Sequence, residues 1–283
     1  MIKKKSKGHP FLFITPGDPD GIGPEIVWKT ISSGKFNFPL ICVGAKKPFE
    51  KLKAKIQVIN EEQLKKFHTQ GFPKGDSTKK NSKNKIVYLL EAPTQSSHFL
   101  PGYQAGWSIA KATEFLLQGI GSALVTGPIN KDRLQKGGFH YQGHTDFLED
   151  LCRKVDPRFP SVTMMLANDL LRVSLVTTHI SIKKVPEVLS REKIRNAILN
   201  TSTFLTQHLK IKKPKIAIAA LNPHAGESGL FGDEEIKFIS PEVDSLNKQF
   251  KAKFEVFGPL PADTLFANHR IIFSFFLISF LRF

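Results

Sequence analysis

The stretch 215–227 constrains the fold more than any other. Ile216, Ala217, Ile218, Ala219 and Ala220 form an apolar run fenced by Pro214 in front and Pro223 behind, and this reads as a short buried strand. The run passes directly into Leu221-Asn222-Pro223-His224-Ala225-Gly226-Glu227. A buried strand that ends in Asn, His and Glu puts polar groups at the edge of a sheet, where open α/β sheets hold their ligands. The arrangement recurs upstream, where Val173-Ser174-Leu175-Val176-Thr177-Thr178 runs into His179. Two strands that each deliver one histidine at the carboxyl end predict a metal held between neighbouring strands. The plainer alternative is a pair of loop histidines facing water.

Strands and helices alternate along the rest of the chain. An apolar strand over 10–15 is followed by Pro16-Gly17-Asp18-Pro19-Asp20-Gly21-Ile22-Gly23-Pro24-Glu25. Its glycines permit sharp turns and close approach, while Pro24 and Glu25 suit the start of a helix. The Gly-x-Gly-x-x-Gly dinucleotide spacing is absent, so the stretch reads first as a tight structural turn and second as an anion cradle. Further strands are expected at 38–43, 56–59, 86–90 and 123–125, with a helix over 102–117. Lys131, after Thr126-Gly127-Pro128-Ile129-Asn130, either meets an anion or merely opens a surface helix. Thr145 is a candidate helix cap, which would put His144 just before a helix N-terminus, a favourable place for an anionic ligand. Residues 161–166 and 171–178 form an expected strand pair, and 183–210 an amphipathic helical scaffold.

The 283 residues are enough for one large core or two moderate domains. Two distant cysteines, Cys42 and Cys152, fit no metal spacing and imply a reducing, cytoplasmic setting. The N-terminal apolar run, Phe11-Leu12-Phe13-Ile14, is too short for a signal peptide. The net charge of +16 could attract nucleic acid or a small anion. Much of it lies in the N-terminal tail and in 65–85, which reads as a solvated loop almost without aromatics, so no nucleic-acid partner is expected.

Six blocks occur in order: Pro16-Gly17-Asp18-Pro19 with Gly21-Ile22-Gly23-Pro24-Glu25, Val125-Thr126-Gly127-Pro128-Ile129-Asn130-Lys131, Gly143-His144-Thr145-Asp146-Phe147, Thr178-His179-Ile180, Leu221-Asn222-Pro223-His224-Ala225-Gly226-Glu227, and Gly258-Pro259-Leu260-Pro261-Ala262-Asp263-Thr264. Together they resemble the 4-hydroxythreonine-4-phosphate dehydrogenase family of vitamin B6 biosynthesis, over about residues 11–266. The resemblance implies an isocitrate/isopropylmalate-dehydrogenase-like α/β fold, with two α/β subdomains flanking an active-site cleft. The expected division is a first subdomain over 1–126, with a lysine-rich surface loop at 61–85, and a second over 127–266 carrying the substrate and metal residues. It also implies a homodimer, a small phosphorylated substrate, NAD as hydride acceptor and a divalent metal (Zn, Mg, Mn or Co). By position, His144 and Thr145 match the family's substrate-contacting pair, and His179 and His224 match two of its three metal histidines. The implied reaction oxidises 4-phosphohydroxythreonine to a β-keto acid that loses CO2, giving 3-amino-2-oxopropyl phosphate. Catalytic and NAD-contacting residues are not assigned.

The resemblance stops after Phe266. Where the family carries Tyr-His-Asp-Gln-Gly with its third metal histidine, this chain continues as an apolar tail over 267–283, rich in Phe and Ile. His269 comes too soon to take the ligand's role. The tail is too short to span a bilayer, and no membrane partner is expected. Two origins are consistent with it: a change of reading frame near Phe266, or a divergent element packing a sheet edge. Function accordingly divides into a dehydrogenase of the family, acting on 4-phosphohydroxythreonine or a related phosphorylated hydroxy acid, and a truncated, catalytically impaired relative.

Overall fold

A computed structural model of the chain describes residues 8–35, 38–73, 86–159, 161–168, 171–267 and 275–279, with the backbone alone at 275–278. The chain divides into two compact units, Met1–Phe159 and Pro160–Phe283.

The first unit contains β1 (Leu12–Thr15), α1 (Gly23–Ser32), β2 (Leu40–Gly44), α2 (Lys47–Lys51), β3 (Ile56–Ile59), α3 (Glu61–Gln70), β4 (Val87–Glu91), α4 (Leu100–Leu117), β5 (Ala123–Thr126), α5 (Lys131–Lys136) and α6 (His144–Val155). Its five strands are all parallel, in the order β3-β4-β2-β1-β5. Alternation along each strand sorts side chains onto two faces. Phe13, Ile41, Val43, Tyr88 and Leu90 point into one core with Leu64 and Phe67 of α3 and Ala112 and Phe115 of α4. Ile14, Cys42, Val87 and Leu89 point into the other, with Val27 of α1 and Phe49 of α2. Both faces being covered explains why the central strands read as unbroken apolar runs.

The second unit contains β6 (Met165–Ala167), β7 (Arg172–Leu175), α7 (Val185–Val188), α8 (Arg191–Gln207), β8 (Lys215–Ala219), α9 (Ser240–Phe250), β9 (Glu255–Leu260), α10 (Ala262–Ala267) and β10 (Phe275–Ser279). The order is β6-β7-β10-β8-β9, parallel except for the short edge strand β6. One face carries Ile216, Ile218 and Val256 against α7, α8 and α9. The other carries Val173, Leu175, Ala217 and Ala219 against Leu265 of α10. Beside α10 that second face hollows into a cavity of about 730 Å³, lined by Leu166, Leu171, Val173, Leu175, Ala262 and Phe266 among others.

The structure departs from the sequence expectations in four places. The unit boundary falls at 159/160 rather than 126/127, because α5 and α6 pack on α4. Residues 61–70 form a helix, not a lysine-rich loop: Asn60 and Gln63 exchange hydrogen bonds of 2.8 and 3.0 Å in a capping box, and Leu64 and Phe67 are buried. Residues 74–85 of that expected loop lie outside the described ones. The helix at 144 is capped by Gly143, so Thr145 lies inside its first turn instead of capping it. The tail does not pack at an edge. Its β10 is the central strand of the second sheet, hydrogen-bonded to β7 on one side and β8 on the other.

Candidate functional site

Residues singled out in the first unit gather behind the carboxyl ends of β1 and β5. These strands are in register, with Thr15 opposite Thr126, and each turns into a glycine-bearing loop. The loops lock together through backbone. Asp18 N donates to Pro128 O at 3.0 Å and Gly127 N to Thr15 O at 2.6 Å. A Cβ on Gly17 would lie 2.1 Å from Pro128 O, one on Gly127 2.3 Å from Pro16 O, and one on Gly23 1.7 Å from Pro16 O. These glycines serve the chain's own close packing, which accords with a structural turn rather than an anion cradle. The Arg133 guanidinium adds a charged clasp, donating to Asp18 at 3.2 Å and Asp20 at 2.8 Å. Lys131 is exposed and opens α5, whose cap is the Asn130 side chain accepting from Arg133 N at 3.1 Å. It is the surface lysine of the plainer alternative.

His144 and Thr145 open the twelve-residue helix α6. The Asp146 carboxylate reaches back to accept from Gln142 N at 2.6 Å and Gly143 N at 2.8 Å, fixing the approach to the helix. Tyr141 anchors the same approach. Its ring stacks on buried Phe147 at 4.1 Å, and its hydroxyl donates to Asp150 at 2.5 Å. His144 is half-buried, and burial is the main reason its imidazole lies below the ordinary histidine range, against a weaker opposing pull from Asp146. The ring is therefore neutral near pH 7. Its Nε2 is buried and meets no hydrogen-bond partner among the described residues. A buried polar atom without a partner at a helix start is a place where a ligand group would be satisfied.

In the second unit, β7 ends at Leu175, four residues before His179, and β8 ends at Ala219, before the turn that carries His224. Both histidines are exposed and both have positive φ, 56° and 51°. The His224 turn is extreme in this respect. His224, Ala225, Gly226, Glu227 and Ser228 all lie at positive φ, between 42° and 79°. An L-residue in that region costs roughly 1–2 kcal/mol, so four non-glycine residues together mark a backbone that its surroundings must hold.

The two histidines do not stand on neighbouring strands, as the expected metal centre supposed. Their strands are not neighbours, since β10 runs between β7 and β8, and two strand spacings amount to about 10 Å. The intervening strand supplies Phe275, Phe276, Leu277, Ile278 and Ser279, with no imidazole, thiolate or carboxylate among them. Among the described residues no three His, Cys, Asp or Glu side chains group closely enough to hold an ion. Neither imidazole has a hydrogen-bond partner among the described residues to fix its tautomer, a support that metal-binding histidines nearly always have. Two histidines by themselves fall short of the three or so protein ligands that a catalytic site calls for.

Sequence reasoning missed Glu235, which is 3% exposed and organises the His224 turn. Its carboxylate accepts from Leu221 N and Asn222 N, both at 2.8 Å, and from the Asn222 side chain at 2.9 Å. The signal lay in the pair Glu234-Glu235, acidic residues where the surrounding apolar spacing calls for a buried side chain.

Comparison with known proteins agrees with this architecture. The family model for the pyridoxal phosphate biosynthetic protein PdxA matches residues 37–274. D-Threonate 4-phosphate dehydrogenase of Salmonella typhimurium is 35% identical over 265 residues, covering 89% of this chain and 75% of the relative. A 4-hydroxythreonine-4-phosphate dehydrogenase of Trichlorobacter lovleyi is 33% identical, covering 91% and 75%. The crystal structure of 4-hydroxythreonine-4-phosphate dehydrogenase from Klebsiella pneumoniae superposes with a TM-score of 0.75 at 28% identity, over 96% of this chain and 81% of that one. Sequence and fold agree over most of the chain: the chain belongs to the PdxA family.

Proposed function

We propose that the chain is a dehydrogenase of phosphorylated hydroxy acids, oxidising the secondary alcohol of D-threonate 4-phosphate or 4-phosphohydroxythreonine. Both compounds offer an alcohol between a carboxylate end and a phosphate ester, and they differ in one hydroxyl against one amine. NAD is the proposed acceptor of the hydride that leaves the alcohol carbon. The resulting β-keto acid loses CO2, which for the amino substrate gives 3-amino-2-oxopropyl phosphate. His144 and Thr145 are the proposed substrate contacts, with His144 offering a neutral ring and Thr145 a hydroxyl beside the positive end of the α6 dipole. The carrying observation is the orphaned, buried Nε2 of His144, in a chain that aligns along most of its length with dehydrogenases of these substrates.

No residue is assigned to NAD, since the glycines of the 16–24 turn close on the chain's own backbone. We further propose a cytoplasmic homodimer. Free Cys42 and Cys152 and the apolar hollow beside α10 support that setting, and among the described residues no helix is long and apolar enough to cross a membrane.

The deciding experiment follows NADH formation by the purified chain with each substrate, beside a His144→Ala variant. Turnover of either compound, reduced at least tenfold in the variant, is expected. A folded chain that reduces no NAD with either one overturns the reading. That outcome would favour the second reading, a catalytically impaired family member, to which the intrusion of β10 between the histidine-bearing strands specifically points.

A further inference from the structure

The His224 turn needs an explanation that the fold alone does not supply. Five consecutive residues from His224 to Ser228 have positive φ, yet the turn sits outside the apolar cores, and the His224 ring lies near that of Phe231, centroids 6.1 Å apart. The approach to the turn is held by two carboxylates, Glu235 foremost. Glu235 Oε1 accepts from both backbone amides that lead into it, Leu221 N and Asn222 N, while Oε2 accepts from the Asn222 side chain. Glu234 takes the second proton of that amide at 2.6 Å. The middle of the turn folds over the same group, for a Cβ on Gly226 would lie 2.9 Å from Glu235 Oε2. The Glu235 carboxylate has no ion-pair partner among the described residues, so its charge is met by N–H donors alone.

The segment that follows Glu235 meets the core through apolar side chains. Ile239, Val243 and Leu246, on the following turns, are the residues that pack into the core. The buried carboxylate therefore acts on the loop and not on the sheet. We propose that Glu235 is a positioning residue that holds the left-handed turn and so presents His224 at the carboxyl edge of β8. This hold on His224 does not rest on the dehydrogenase reading.

The test uses the full chain and its Glu235→Ala and Glu235→Gln variants, with histidine ring resonances followed by NMR and cleavage within the turn followed by limited proteolysis. Glu235→Ala should move the His224 ring signals toward those of an unstructured histidine while those of His179 and His208 stay in place. Cleavage within the turn should rise about tenfold. Glu235→Gln keeps one acceptor oxygen for the two amides and should restore most of the native spectrum, a rescue that a general loss of stability would not give. If Glu235→Ala does not fold, Asn222→Ala takes its place and should show the same His224-specific shift at smaller amplitude. Native His224 signals and native cleavage in a folded Glu235→Ala or Asn222→Ala protein overturn the proposal. Absence of turnover in the native chain overturns the dehydrogenase reading instead, and the histidine spectrum still decides the role of Glu235.

Discussion

The locked loops behind β1 and β5 predict a large effect from a very small change, Gly17→Ala. Two penalties combine at this position. Gly17 has φ of +82°, a region that costs an alanine about 1 kcal/mol relative to glycine. The added methyl would also lie 2.1 Å from Pro128 O, where ordinary contact begins near 3.4 Å. The loops must therefore part by about 1.3 Å, which stretches Asp18 N to Pro128 O and Gly127 N to Thr15 O beyond bonding distance, at about 1 kcal/mol each. The sum is about 3 kcal/mol. Gly119→Ala isolates the first penalty, because Gly119 has φ of +83° and nothing within 4 Å of its Cβ; it should cost about 1 kcal/mol. Both tryptophans, Trp28 in α1 and Trp107 in α4, belong to the first unit, so fluorescence-detected urea or thermal unfolding reports on it directly. For a domain of this size the expected losses in Tm are about 9 °C for Gly17→Ala and about 3 °C for Gly119→Ala. Equal losses for the two variants would refute the claim that backbone interlocking, rather than ligand approach, explains the glycine at 17.

Two further predictions follow from the site. Because the folded His144 titrates below its unfolded value, the unfolded chain takes up the proton first as pH falls, and stability is lost below about pH 6.5. The native chain should therefore lose Tm relative to a His144→Gln variant between neutral pH and pH 5, and parallel curves would contradict the buried neutral ring. Titration with Co²⁺ should show no saturable one-to-one site and no ligand-field bands that disappear on His179→Ala; a stoichiometric site abolished by that substitution would refute the incomplete donor set.

Much of the fold was legible because periodicity and capping are local. The strand at 215–219, the strand pair on either side of Asn168 and the helix ending at Leu117 each follow from a few consecutive residues. Sheet order is not local. Nothing within 173–178 or 215–220 says that a third strand runs between them, and so two histidines in matching contexts were expected on neighbouring strands. Lysine density obscured α3, although Asn60, Gln63, Leu64 and Phe67 carried its cap and apolar stripe. Glu235 was hidden for a related reason. A carboxylate reads as surface until the backbone amides it serves, thirteen and fourteen residues earlier, are seen to converge on it.

The central position of β10 also governs the order in which the second unit can be built. Its register with β7 joins residues about a hundred apart in sequence, Val173 with Leu277. Until that late segment arrives, β7 and β8 have no common partner, and each presents an unsatisfied ladder edge to the solvent. The first sheet also joins distant residues, Leu12 with Ala123, but its last strand, β5, is added at an edge and not between two others. Closure of the second unit thus waits on the last of its strands in sequence, and a nascent chain held short of β10 leaves the ladder edges of β7 and β8 unjoined.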